Sequence, residues 1–98
     1  MTRLELASEV AEDLQRILNH HERFEVENTA LRIREIIEAI SILESNPLIG
    51  RPTSDDMREL VIGRNARGYI ALYRYITEID SAFILAIRSQ REAGYKRP

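Results

Sequence analysis

The hydrophobic period of this chain changes from helical to strand-like at Ser45-Asn46-Pro47, and that change limits its fold more than any other feature. Before it, apolar residues recur every three to four positions: Val10, Leu14, Ile17, Leu18 and His21, then Ala30, Ile33, Ile36/Ile37, Ile40 and Leu43. That spacing places each set on one face of a helix. After it, short alternating or β-branched runs take over, the mark of strands. Pro47 cannot continue a helix and disfavours helical geometry in the residue before it, so the boundary is sharp.

Finer reading gives the element order. Residues 2–6 alternate polar and apolar, with Leu4 and Leu6 on one side of a short strand. Ser8 is placed to cap a first helix, with Glu9, Glu12 and Asp13 in its opening turns, where the helix dipole favours negative charge. A break at residues 22–25 leads to a second helix over residues 26–44, and two amphipathic helices so joined form an antiparallel hairpin. Residues 48–57 read as a loop punctuated by Gly50 and Pro52, and strands are predicted over 58–62, 69–76 and 82–89. The predicted fold is α+β: a short N-terminal strand, an antiparallel helical hairpin and a three-stranded antiparallel sheet covered on one face by the helices. Pairing Ile76 with Ser81 and continuing without interruption sets Ile70 and Leu72 beside Ile87 and Leu85, facing the helices. Tyr69, Tyr73, Tyr75 and Arg88 then occupy the open face; a one-residue slip would reverse the two.

Composition bounds the rest. The 98 residues are the length of one domain, residues 1–98. No run approaches the roughly 18–20 apolar residues of a membrane span, and the N-terminus lacks a signal-peptide plan, so a cytoplasmic location without membrane contact is expected. The absence of cysteine rules out a disulfide framework and a thiolate metal site. His20 and His21 suit helix-end charge and packing, no carboxylate cluster surrounds them at ligand spacing, and neither metal nor cofactor is expected. Net charge is −2, unevenly divided. Residues 1–57 hold six Arg against twelve Asp/Glu, whereas residues 58–98 hold seven Arg and one Lys against four Asp/Glu. A basic face on an acidic body suits an acidic partner or a nucleic acid; scattered solvated charge is the plainer reading.

Taken in order, Leu48-Ile49-Gly50-Arg51-Pro52, Arg58-Glu59-Leu60, Tyr69, Leu72-Tyr73-Arg74 and the closing stretch Ile84-Leu85-Ala86-Ile87-Arg88-Ser89-Gln90-Arg91-Glu92 resemble the ParE/RelE superfamily of type II toxins, ParE-like members above all. The likeness spans nearly the whole chain. It implies a toxin held in a hetero-oligomer by a ParD- or RelB-like antitoxin whose flexible segment wraps around it. It implies one of two targets: DNA gyrase, bound and poisoned by ParE-like members, or mRNA on the ribosome, cut by RelE-like members.

Fold alone does not choose between them. A nuclease must activate a ribose 2′-hydroxyl and stabilise a pentacoordinate phosphate. The candidates for that chemistry are Arg64, Arg67, Arg74, Arg88, Arg91 and Tyr95. Against it, the position after Arg88, often histidine in related sequences, is Ser89, Lys96 is the only lysine, and the pI near 5.7 is poorly suited to an RNA surface. A gyrase inhibitor needs only a contact surface, and Tyr and Arg are the residues that interface hot spots favour. Tyr69, Tyr73, Tyr75, Arg88, Arg91, Lys96 and Arg97 would supply it; the tyrosines could instead complete the sheet's packing. Gly50, Arg51 and Pro52 read as a structural motif that fixes the loop. The reading is therefore a non-enzymatic gyrase inhibitor, with a ribosome-dependent endonuclease or a degenerate, non-toxic antitoxin-binding module as alternatives.

Overall fold

In the computed structural model, which describes residues 1–23, 29–63, 68–90 and 95, the elements follow the predicted order. Strand β1 (Arg3–Leu6) precedes helices α1 (Glu9–Arg23) and α2 (Thr29–Ser41), and a 3-10 turn, Ile42–Glu44, closes α2 before Pro47. Strands β2 (Arg51–Pro52), β3 (Arg58–Ile62), β4 (Tyr69–Ile76) and β5 (Ser81–Ser89) follow. The break expected at residues 22–25 and the start expected at residue 26 fall partly outside the described residues.

Among the described residues the sheet has five strands, in the order β1-β5-β4-β3-β2. Two features extend the three-stranded expectation. β1 joins the same sheet, running parallel to β5 with Arg3 opposite Ser81 and Leu6 opposite Ile84. The stretch read as a loop contains β2, which pairs with β3 through Arg51↔Glu59 and Pro52↔Arg58. Its turn is tight: Asp55 and Asp56 both have φ of 59°, and the Met57 N–H donates to the Ser54 carbonyl at 3.2 Å. Two consecutive positive φ values are the pattern of a type I′ hairpin turn, which Asp tolerates better than most residues. A two-residue strand containing proline shows no alternation, so nothing in the sequence announces it.

The predicted distribution of side chains between the sheet faces is overturned. Ile76 does pair with Ser81, but the register shifts between Leu72 and Tyr73, so Leu72 faces Ala86 while Tyr73 faces Ile84. Leu85 is the extra residue of a β-bulge. Beyond the bulge Arg88 stands opposite Ile70 rather than beside Tyr69. The tyrosine face is the one that meets the helices. Tyr69, Ala71 and Tyr73 join Leu60, Ile62, Ala82, Ile84 and Ile87 against Val10 and Ile17 of α1 and Ile36 and Ile40 of α2. Tyr73 is fully buried and Tyr69 is 6% exposed, so neither forms part of an open surface. The α2 stripe is also narrower than predicted: Ile36, Ile40 and Leu43 are buried, but Ile37 is 54% exposed. Leu85, expected in the core, is only half-buried.

The outer edge of β5 is finished by a helix. Past Ile84 no strand among the described residues pairs with that edge, and α1 takes over. Asp13, nearly inaccessible, accepts the Ile87 N–H at 2.9 Å through one carboxylate oxygen and the Arg16 guanidinium at 2.7 Å through the other. Arg16 in turn donates to the Ile87 carbonyl at 3.1 Å. The Asp13–Arg16 pair, one helical turn apart, satisfies both backbone groups of Ile87 as a neighbouring strand would.

Candidate functional site

The Leu48-Ile49-Gly50-Arg51-Pro52 segment is anchored from below. The Tyr73 hydroxyl, at the core side of β4, donates to the Pro47 carbonyl at 2.7 Å and accepts the Gly50 N–H at 2.9 Å. Burial raises the Tyr73 pKa above the ordinary phenol value and keeps the hydroxyl a donor. Arg58, cross-strand from Tyr73, donates to the Gly50 carbonyl at 2.7 Å and the Leu48 carbonyl at 3.1 Å. Glycine at position 50 follows from this: a Cβ there would lie 2.6 Å from the Tyr73 ring and hydroxyl. Arg51, exposed on top, pairs with Glu59 at 3.3 Å.

Glu59 belongs to a cluster on the opposite, outer face of the sheet. Its second carboxylate oxygen accepts the Tyr95 hydroxyl at 2.6 Å, and the Arg88 guanidinium lies 5.1 Å from the centre of the Tyr95 ring. Four residues distant in sequence thus meet: Arg51 of β2, Glu59 of β3, Arg88 of β5 and Tyr95. The Tyr95 pKa is pushed far up, first by burial, then by its hydrogen bond to Glu59 and the charge of that carboxylate, with Arg88 opposing. Tyr95 therefore holds its proton across the physiological range and gives it in a hydrogen bond to Glu59, the reverse of what a general base must do.

The family profile described as "ParE toxin of type II toxin-antitoxin system, parDE" matches residues 4–94. The chain belongs to the ParE toxin family. Among solved structures it is similar to a chain of the chromosomal ParDE toxin–antitoxin system from P. aeruginosa, with 25% identity and a TM-score of 0.75 over 91% of this chain and 96% of that one. It shares its fold with a chain of the intact E. coli RelBE toxin–antitoxin complex, at 12% identity and a TM-score of 0.64 over 94% of this chain and 100% of that one. The same holds for the archaeal RelE–RelB complex from Pyrococcus horikoshii OT3, at 19% identity and 0.59 over 95% of this chain and 100% of that one. No curated protein sequence matched the chain.

Within this ParE fold the residues singled out from the sequence are dispersed. Tyr69 and Tyr73 are core residues, and burial raises the pKa of Tyr69 as it does that of Tyr73. Tyr75 lies at the far end of β4, where its hydroxyl donates to Asp80 at 2.7 Å; the same carboxylate oxygen accepts the Thr2 hydroxyl at 2.7 Å. Arg74 ties the β2–β3 turn by donating to the Asp55 carbonyl at 2.9 Å. Among the described residues, Arg88 and Tyr95 are the proposed contact and nuclease residues that the fold brings together. Arg64, Arg67, Arg91, Lys96 and Arg97 lie outside the described residues, as do the side chains of His20 and His21. Glu59, central to the outer-face cluster, and Asp13, at the β5 edge, were not singled out as site residues. Asp13 reads in sequence as an ordinary first-turn acid, and Glu59 as the polar residue of an alternating strand.

Proposed function

We propose that this ParE-family toxin acts in the cytoplasm by binding DNA gyrase through the outer face of its sheet, around Arg88, Glu59 and Arg51, and that a ParD-like antitoxin neutralises it. The observation that carries this reading is the Glu59–Tyr95–Arg88 arrangement. An RNA-cleaving centre needs a group free to take a proton and cations aimed at a phosphate. Here the phenol donates its proton to Glu59, the guanidinium faces its ring at 5.1 Å, and a carboxylate sits in the same cluster. A contact surface requires none of that chemistry, and Arg and Tyr beside apolar side chains are its usual anchors.

The antitoxin reading is supported by the company the fold keeps, since the three similar structures come from toxin–antitoxin systems. Leu31 and Ile37 of α2 and Ile42 beyond it are exposed and would offer a wrapping segment apolar contact. The test is a supercoiling assay with purified gyrase, run beside a translation reaction. Loss of supercoiling or accumulation of cleaved DNA with translation untouched is expected. Blocked translation with cut mRNA would replace this reading with a ribosome-dependent nuclease.

A further inference from the structure

Strand β4 overhangs β3. Its last pair with β3 is Tyr73 with Arg58, while its pairing with β5 runs on to Ile76. Two bonds of the sheet fix where the backbone of the overhang points. The Gln90 N–H donates to the Gly68 carbonyl, so even-numbered residues of β4 turn their N–H and C=O toward β5 and odd-numbered ones turn theirs toward β3. The Ile84 carbonyl, opposite Tyr73, accepts from Ala7 just past β1, away from β4, which gives the same phase. Tyr75 therefore directs both groups to the side where β3 would continue. That side holds no strand: Asp55 and Asp56 form the turn, while Met57 donates its N–H to Ser54 and accepts the Thr53 N–H within the β2–β3 hairpin. Among the described residues neither backbone group of Tyr75 has a partner.

Beside Tyr75 lies a groove of about 740 Å³, between the overhang and the hairpin turn. Leu48, Pro52 and Met57 give it an apolar wall, and Asp55, Asp56 and Glu78, all exposed, give it carboxylates. Its two arginines are engaged by the protein's own carbonyls, Arg58 by those of Leu48 and Gly50 and Arg74 by that of Asp55. The three carboxylates, by contrast, have no ion pair among the described residues. We propose that the groove takes an extended, lysine- or arginine-bearing peptide segment of a partner protein, which pairs with the main chain of Tyr75 along the line that β3 vacates and sets its cations on Asp55, Asp56 and Glu78. Main-chain pairing at an open strand edge gives such a segment affinity, and its alternate side chains give it specificity. One free backbone pair holds a strand weakly, so the carboxylates supply part of the attraction and binding falls as salt rises. The site is separate from the gyrase reading, because neither Arg88 nor Glu59 lines the groove.

The probe is a short synthetic peptide alternating lysine and valine, titrated into the isotope-labelled toxin while amide hydrogen exchange is followed by NMR. The Tyr75 amide should exchange freely in the protein alone and slow about ten-fold once the peptide is bound, the protection one hydrogen bond gives. A peptide alternating glutamate and valine should not bind. The lysine peptide N-methylated throughout has no N–H to give and should leave Tyr75 unprotected. Asp55→Asn with Asp56→Asn keeps residues that tolerate positive φ and removes two of the charges, so affinity should fall at least about three-fold with the urea midpoint little changed. Glu78→Gln, outside the turn, repeats that test without touching the turn backbone. No slowing at Tyr75 with the lysine peptide in millimolar excess would overturn the proposal. Equal binding of the glutamate peptide, or undiminished affinity in both variants, would overturn the basic character of the occupant. Equal protection by the N-methylated peptide would overturn the strand pairing.

Discussion

Replacing Tyr73 by phenylalanine isolates the link between the sheet and the Pro47–Gly50 segment. The ring is retained, so packing in the fully buried site is preserved and only the hydroxyl is lost. Two hydrogen bonds go with it, one donated to Pro47 and one accepted from Gly50. A neutral bond contributes about 1 kcal/mol net, but a buried donor left without a partner costs about 1–3 kcal/mol. The Gly50 N–H is in that position, whereas the Pro47 carbonyl is only partly buried and can be rehydrated in part. The combined loss is about 2–3 kcal/mol. For a chain of this length that lowers Tm by roughly 8–24 °C. Urea unfolding of wild type and Tyr73→Phe, with m unchanged, is the assay. A loss below about 0.5 kcal/mol would refute the reasoning, because the loop would then be held by Arg58 or by nothing specific.

Three further outcomes are expected. Asp13→Ala removes the carboxylate that holds the Ile87 N–H and Arg16, and should cost about 3 kcal/mol by denaturant unfolding; a loss under 1 kcal/mol would mean that the β5 edge needs no helix cap. Ile36→Ala should cost about 2–5 kcal/mol while Ile37→Ala costs under about 0.5 kcal/mol, and equal values would contradict the orientation of α2. Hydrogen bonds from Thr2 and then Tyr75 hold the Asp80 carboxyl below its ordinary pKa. Its contribution to stability is therefore complete above the unfolded carboxyl pKa and lost as pH falls through the lower folded value. A carboxyl NMR titration should show the Asp80 midpoint rising in Tyr75→Phe, and an unmoved midpoint would remove Tyr75 from that role.

Element order, the boundaries of β3 and β4 and the position of the α2 stop are legible in the sequence because each has a local physical cause: alternation, branched residues, proline. What is not legible depends on contacts between distant segments. Residues 84–87 are Ile-Leu-Ala-Ile, all apolar, so no pattern marks Leu85 as the bulged residue, and without the bulge the face carrying Arg88 is assigned wrongly. Adjacent Ile36 and Ile37 both fit a helical stripe, and only packing decides which is buried. Tyr73 has a polar tip that suggests a surface; its acceptor and donor come from a loop more than twenty residues earlier. Family resemblance pointed to the right fold and to Arg88 and Tyr95, but Glu59, which joins them, emerges only when β3, β4 and β5 are in register.

The central claim is that the outer face of this ParE-family toxin works by contact with gyrase. The most direct measurement is inhibition of purified gyrase by wild type and by Arg88→Ala, each first shown to be folded. Inhibition by wild type, with potency reduced at least about ten-fold in Arg88→Ala, is the predicted result, in line with loss of a hot-spot arginine. Full potency in the variant, or no inhibition by wild type, would contradict it.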